Sequence, residues 1–157
     1  MKYKMIVLDL DGTLTNNKKL ITPHTQQALM LAQTAGVHVV LASGRPTYGI
    51  VPLAEELKLK ENNGYILAFN GGKIIDCTNN NVLFEQKLDE QLVPLLYQEA
   101  KKANMEILTY QGEGIAATNK DDKYVQHEAF INKMPVMQYD DFLHQLVYPI
   151  NKCLIVG

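Results

Sequence analysis

The run Met5-Ile6-Val7-Leu8-Asp9-Leu10-Asp11-Gly12-Thr13-Leu14 constrains this chain more than any other stretch. A short apolar strand leads into two aspartates spaced i, i+2, followed by a glycine and a hydroxyl residue. Alternate side chains of an extended chain point the same way, so Asp9 and Asp11 can face one cleft at the strand's carboxyl edge. Burying one carboxylate is costly and two side by side repel, so the arrangement invites a cation or a shared proton. Gly12 lets the backbone turn sharply and approach an anion, and Thr13 adds a hydroxyl. An apolar edge strand with an Asp-Gly turn explains the second aspartate but does not need the first.

The next segments read as a βαβ unit. Thr22 is an N-cap and Pro23 a first-turn residue. Apolar Ala28, Leu29, Leu31 and Ala32 recur with helical spacing, and Gly36 closes the helix. Residues 37–42 read as a strand buried on both faces. It ends in Ser43-Gly44-Arg45-Pro46, ahead of a helix over 47–57. Ser43 then lies at the carboxyl edge of a strand parallel to the first, where ligands of open α/β sheets bind. A third strand over 65–69 ends in Asn70-Gly71-Gly72. A hairpin follows, with strands at 73–77 and 82–85 around an Asn-rich tip. Beyond it the pattern predicts a helix from Asp89 to Ala103 with Leu92, Leu95, Leu96 and Ala100 on one face. Strands at 106–110 and 114–118, helices at 123–133 and 140–146, and a strand at 150–156 complete the chain.

Asp9-Leu10-Asp11-Gly12-Thr13 resembles the first motif, Asp-x-Asp-Gly-Thr/Val, of the haloacid dehalogenase-like hydrolases. The resemblance implies that Asp9 is a nucleophile forming an aspartyl-phosphate and Asp11 the general acid/base. It also implies Mg2+ held by Asp9 and Asp11, and phosphate contacts from Leu10 and Gly12. Ser43 matches the second motif, a hydroxyl bonded to the transferring phosphoryl group, and Gly44 would add an N–H. The fuller string Ala-Ser-Gly-Arg-Pro looks like the Cof-type subfamily, mostly phosphatases of sugar phosphates and other small organophosphates. Arg45 is there either a substrate contact or a solvated turn cation. Asn70-Gly71 resembles the subfamily's turn at the cleft rim, and Asn70 is read as mainly structural with a substrate contact as the alternative. The implied fold is α/β: a Rossmann-like parallel-sheet core with an inserted α+β cap of type IIB. On that reading residues 1–83 are the first half of the core and 84–157 a partial cap.

The family's third motif, a lysine, and its fourth, an acidic Gly-Asp-x-x-x-Asp-like string, have no match here. Asp121-Asp122 falls in a turn and Asp140-Asp141 where a helix N-cap belongs; Lys101-Lys102 suits a helix C-terminus. The chain is therefore expected to be an N-terminal piece of a longer protein and close to inactive alone.

With 157 residues, 46% of them hydrophobic, the chain can bury a real core. A formal net charge of −2 without a basic cluster argues against nucleic acid or anionic membrane as partner and leaves a small phosphorylated molecule. Cys77 and Cys153 have no zinc-type spacing, no signal-peptide core opens the chain, and no apolar run is long enough to span a bilayer. A cytoplasmic protein with reduced thiols is the simplest reading.

Three alternatives remain. A phosphomannomutase-type phosphomutase shares the Asp-x-Asp-Gly-Thr-Leu start, but Ser43-Gly44-Arg45-Pro46 is the Cof-type form. A signalling receiver domain needs an aspartate at the end of a later strand, where this chain has Ser43 or Asn70. An interaction piece without activity is the third.

Overall fold

In the computed structural model, which describes residues 3–157, β1 (Met5–Leu8), β2 (His38–Ala42) and β3 (Tyr65–Ala68) run parallel. The connections are α1 (Pro23–Thr34) and α2 (Thr47–Glu56). Then β4 (Lys73–Asp76) and β5 (Asn81–Glu85) add antiparallel, giving the sheet order β1-β2-β3-β4-β5. Strand β2 is apolar throughout its centre because Val39, Val40 and Leu41 are all buried. One face of the sheet, with Val39, Leu41, Ile66, Ala68 and Ile75, packs against Leu29 of α1, Ile50 and Leu53 of α2, and Leu57 just beyond it. Each fully buried leucine there contributes about 2 kcal/mol of transfer free energy. On the opposite face Met5, Val7, Val40, Tyr65, Leu67 and Ile74 line an apolar hollow of about 250 Å3, with Met5 and Val7 at the edge exposed and Val40 at the centre buried.

Helix α1 begins as expected, with Thr22 Oγ1 accepting from Thr25 N at 3.2 Å and Pro23 in the first turn. Its buried face differs from the apolar spacing. Leu31 is 65% exposed, while Leu29 and Gln33 are buried. Glutamines turn inward because the C-terminal carbonyls of α2 lack helical partners. Gln33 Nε2 donates to Leu57 O at 2.9 Å and Gln26 Nε2 to Glu56 O at 3.2 Å.

The chain divides into two compact units after Glu85, two residues past the boundary expected from sequence. Phe84 and Glu85 pair with Ile74 and Lys73, so they belong to the first sheet. The second unit contains α3 (Leu92–Lys102), β6 (Glu106–Gln111), β7 (Gly114–Ala117), α4 (Lys123–Asn132), β8 (Val136–Gln138), α5 (Phe142–Gln145) and β9 (Cys153–Val156). Its sheet runs β8-β7-β6-β9, with β7 and β8 parallel and the other pairs antiparallel. Alternation along β6 covers both faces of that sheet. Ile107 joins Val93, Ala100 and Phe142, whereas Leu108 joins Val125.

Three local expectations change here. Helix α3 buries Val93 and Ala100, leaving Leu92 and Leu95 44% and 56% exposed; its start is Leu92, with Asp89 accepting from Gln91 N in the turn before it. Strand β8 is too short to carry a periodic signal of its own. Asp122 caps α4 through bonds from Tyr124 N and Val125 N, while Asp141 caps nothing and pairs with His144.

Candidate active site

Strand β1 ends at Leu8, before the two aspartates rather than through them. The backbone folds over at once, with Leu14 N donating to Asp9 O at 3.1 Å and Thr15 N to Leu10 O at 2.9 Å. The out-in-out alternation survives the end of pairing: Asp9 and Asp11 are exposed while Leu10 between them is fully buried. Leu10 can therefore offer a ligand only its backbone, and its carbonyl is already taken by Thr13 N, Thr15 N and Thr15 Oγ1. Gly12 sits at φ +84°, a conformation that a side chain would strain. Among the described residues no hydrogen bond or ion pair reaches the Asp9 carboxylate. It stands open at the carboxyl end of the strand.

Asp11 is differently placed. Arg45 Nε donates to its Oδ2 at 2.9 Å and Arg45 Nη2 to its Oδ1 at 2.6 Å, a two-point fork. Lys19 Nζ reaches the same Oδ1 at 2.7 Å. The Arg45 bond, supplemented by Lys19, lowers the Asp11 carboxyl from 3.8 to about 2. Arg45 is thus not a solvated turn cation. It is 7% exposed, donates Nη1 to Gly49 O at 3.3 Å, and spends its guanidinium on Asp11. Lys19, which the sequence reading passed over, lies eight residues from Asp11 in a loop with no motif of its own. Only the folded loop brings it there.

Ser43 follows β2 and is buried; its Oγ accepts from Arg45 N at 3.2 Å, which leaves the hydroxyl proton to donate. The turn after β3 is sewn to this one, with Phe69 N donating to Arg45 O at 2.9 Å and Asn70 N to Ser43 O at 3.0 Å. Phe69 and Asn70 take left-handed φ of 54° and 59° to do so. The Asn70 amide lies 3.2 Å from where a Gly44 Cβ would stand, so the two turns approach this closely because Gly44 has no side chain. Asn70 is exposed and holds the rim together.

Asp9, Asp11, Ser43, Gly44, Arg45 and Asn70 therefore all stand at the carboxyl ends of three neighbouring parallel strands, where an open α/β sheet receives ligands. An open carboxylate beside a second carboxylate clamped by two cations and a hydroxyl donor is an arrangement that can attack an electrophile bearing anionic oxygens.

The salt bridge makes a pH prediction. Asp11 has a folded pKa of about 2 against an ordinary 3.8, so its stabilising contribution is fully present above about pH 4. It is lost as pH falls toward 2. The Asp11 side chain is 35% exposed, so solvent screening keeps the effect below the full shift. Asp11→Asn should be clearly less stable than wild type in urea at pH 6, because Arg45 loses its counter-charge in a buried place. That gap should narrow by pH 2.5. A gap independent of pH would show that the pair does not carry the effect.

A family model of haloacid dehalogenase-like hydrolases matches residues 6–157. A crystal structure of a haloacid dehalogenase-like hydrolase from Bacteroides thetaiotaomicron superposes with a TM-score of 0.92 at 51% identity, over 99% of this chain and 59% of that one. M6_Spy0533 of Streptococcus pyogenes, a provisionally named phosphatase, is 32% identical over 139 residues, 87% of this chain and 51% of its own. The 5-amino-6-(5-phospho-D-ribitylamino)uracil phosphatase YcsE of Bacillus subtilis is 39% identical over 85 residues, 54% of this chain and 32% of its own. The chain spans about half the length of M6_Spy0533. With two parallel-strand motifs at one sheet edge and a match along nearly its whole length, this chain belongs to the haloacid dehalogenase-like hydrolase family.

Proposed function

We propose that the full-length protein is a magnesium-dependent phosphatase of small phosphate monoesters, sugar phosphates first among them. The observation that carries this reading is the open Asp9 carboxylate beside the clamped Asp11, with the Ser43 turn on the adjoining strand. Asp9 attacks phosphorus and the bond to the leaving alkoxide breaks, giving an aspartyl-phosphate; Ser43 donates to a phosphoryl oxygen. A proton passes to the alkoxide from the Asp11 carboxyl. Water then attacks phosphorus, gives its proton to Asp11, and returns Asp9 as a carboxylate. The Arg45 and Lys19 contacts favour the ionised form of Asp11, the form needed for the second, proton-accepting half of that cycle.

The donor set fits magnesium in part. Asp9 offers a free carboxylate, but the Asp11 carboxylate is held by Arg45 and Lys19, leaving its main-chain carbonyl. Among the described residues no group of three histidine, cysteine or acidic side chains gathers. Asp9 and the Asp11 carbonyl would hold the ion, which wants about six oxygens and would take the rest from water and phosphate. Bound there, it would neutralise charge on the nucleophile and the phosphate.

The class of substrate draws support from YcsE, whose name gives a phosphorylated ribityl chain as its substrate. The second unit would be part of a cap that selects among such molecules. No helix among the described residues is long and apolar enough to cross a membrane, and a cytoplasmic location fits a soluble substrate. The test is phosphate release by the full-length protein from hexose and pentitol phosphates in magnesium. Release should stop on chelation and return with the metal. Transfer to an added sugar in preference to water would replace this reading with a phosphomutase.

A further inference from the structure

Lys19 approaches Asp11 from outside the two matched motifs, and its placement is built rather than accidental. Asn16 Oδ1 accepts from Lys18 N at 2.8 Å and Leu20 N at 3.2 Å, and Lys19 N donates to Asn16 O at 2.8 Å. The loop is closed on both sides by bridges from Thr15 to Asp11 and to Ile21, and Thr15 and Ile21 are both buried. At its apex Lys19 adopts φ 60°, a left-handed conformation that strains a non-glycine residue. Glycine or asparagine would take that apex with less strain. The lysine side chain there is only 22% exposed and ends 2.7 Å from the carboxylate.

The chemistry of the fork explains what a second cation adds. Arg45 approaches from its own turn and meets Asp11 through Nε and Nη2 in one plane. A fork alone fixes two oxygens against one neighbour. Lys19 binds Oδ1 from a different chain segment, so the carboxyl group is held from two sides and its rotation about the Cβ–Cγ bond is stopped. A proton-transfer group works only when its reacting oxygen is held within hydrogen-bond reach of the leaving group and the water.

The geometry points to Lys19 as a positioning residue for Asp11: with Arg45 it locks the carboxylate in the orientation used for proton transfer. This rests on the phosphatase reading above for its kinetic consequence, and on the three-residue contact alone for its structural one. Lys19 touches neither phosphorus nor nucleophile in this scheme. It acts through Asp11.

Two measurements test it. In the full-length protein, Lys19→Met should lower kcat for p-nitrophenyl phosphate by about tenfold with KM within about twofold, while Lys19→Arg recovers most of the rate. A raised KM with unchanged kcat would make Lys19 a substrate contact and overturn the proposal, as would wild-type kinetics in Lys19→Met. In the 157-residue chain, the Arg45 Nε–H should give a protected nitrogen-15 resonance whose solvent exchange quickens several-fold in Lys19→Met and slows again in Lys19→Arg. Unchanged exchange would overturn the lock whatever the kinetics. If the wild-type full-length protein released no phosphate at all, the phosphatase reading would fall, and the exchange experiment would still decide the role of Lys19.

Discussion

Asp9→Asn in the full-length protein should lower p-nitrophenyl phosphate hydrolysis by about four orders of magnitude and leave the melting temperature unchanged. The amide cannot form the covalent bond to phosphorus, so the two-step route closes. Stability is spared because Asp9 is exposed and its carboxylate engages no partner among the described residues. Asp11→Asn makes the contrast: it should lose activity and also stability, since it strips the buried Arg45 of its counter-charge. Near wild-type turnover in Asp9→Asn with a dead Asp11→Asn would exchange the two roles.

The 157-residue chain by itself should turn over phosphate esters at least a thousandfold more slowly than the roughly ten per second typical of enzymes. Phosphoryl transfer depends on neutralising charge around the equatorial oxygens. Here the nearby cations Arg45 and Lys19 are already engaged by Asp11. Calorimetry should accordingly find magnesium bound more weakly than micromolar. The same chain should self-associate. Met5 and Val7 of edge strand β1 are 50% and 56% exposed, and they line an apolar hollow with Leu67 and Ile74. Val7→Lys should shift it toward monomer in sedimentation. A monomeric, unmutated chain with enzyme-like turnover would contradict this account and place the missing charges on residues assigned here to structure.

Much of the first unit is legible in the sequence. Thr22-Pro23 marked the start of α1, the unbroken apolar run marked β2 as doubly buried, and Asn-rich residues marked the hairpin tip. Each is a local signal with a local cause. Errors fell where burial is decided by a distant neighbour. Leu31, Leu92 and Leu95 suit helical stripes yet face solvent, while Gln33 is buried because the end of α2 needs a donor. Val93 rather than Leu92 faces the second sheet for the same kind of reason, since the crossing of α3 over β6 and β9 sets which arc is covered.

The sequence by itself determined the chemistry on offer: two aspartates around a buried leucine, a glycine that can take φ +84°, and a serine closing the next strand. Spacing along one chain suffices for these, because strand alternation and turn conformation are local properties. What only the tertiary structure decided is which cations hold that chemistry. Arg45 is 34 residues from Asp11 and Lys19 is eight. Neither distance in sequence implies a contact. The parallel pairing of β1 with β2 brings the Arg45 turn alongside, and the Asn16 loop swings Lys19 over the top. Opposite charges held within hydrogen-bond distance in a partly buried place then lower the pH at which Asp11 takes up a proton, an effect that falls steeply with separation and so belongs to the fold alone.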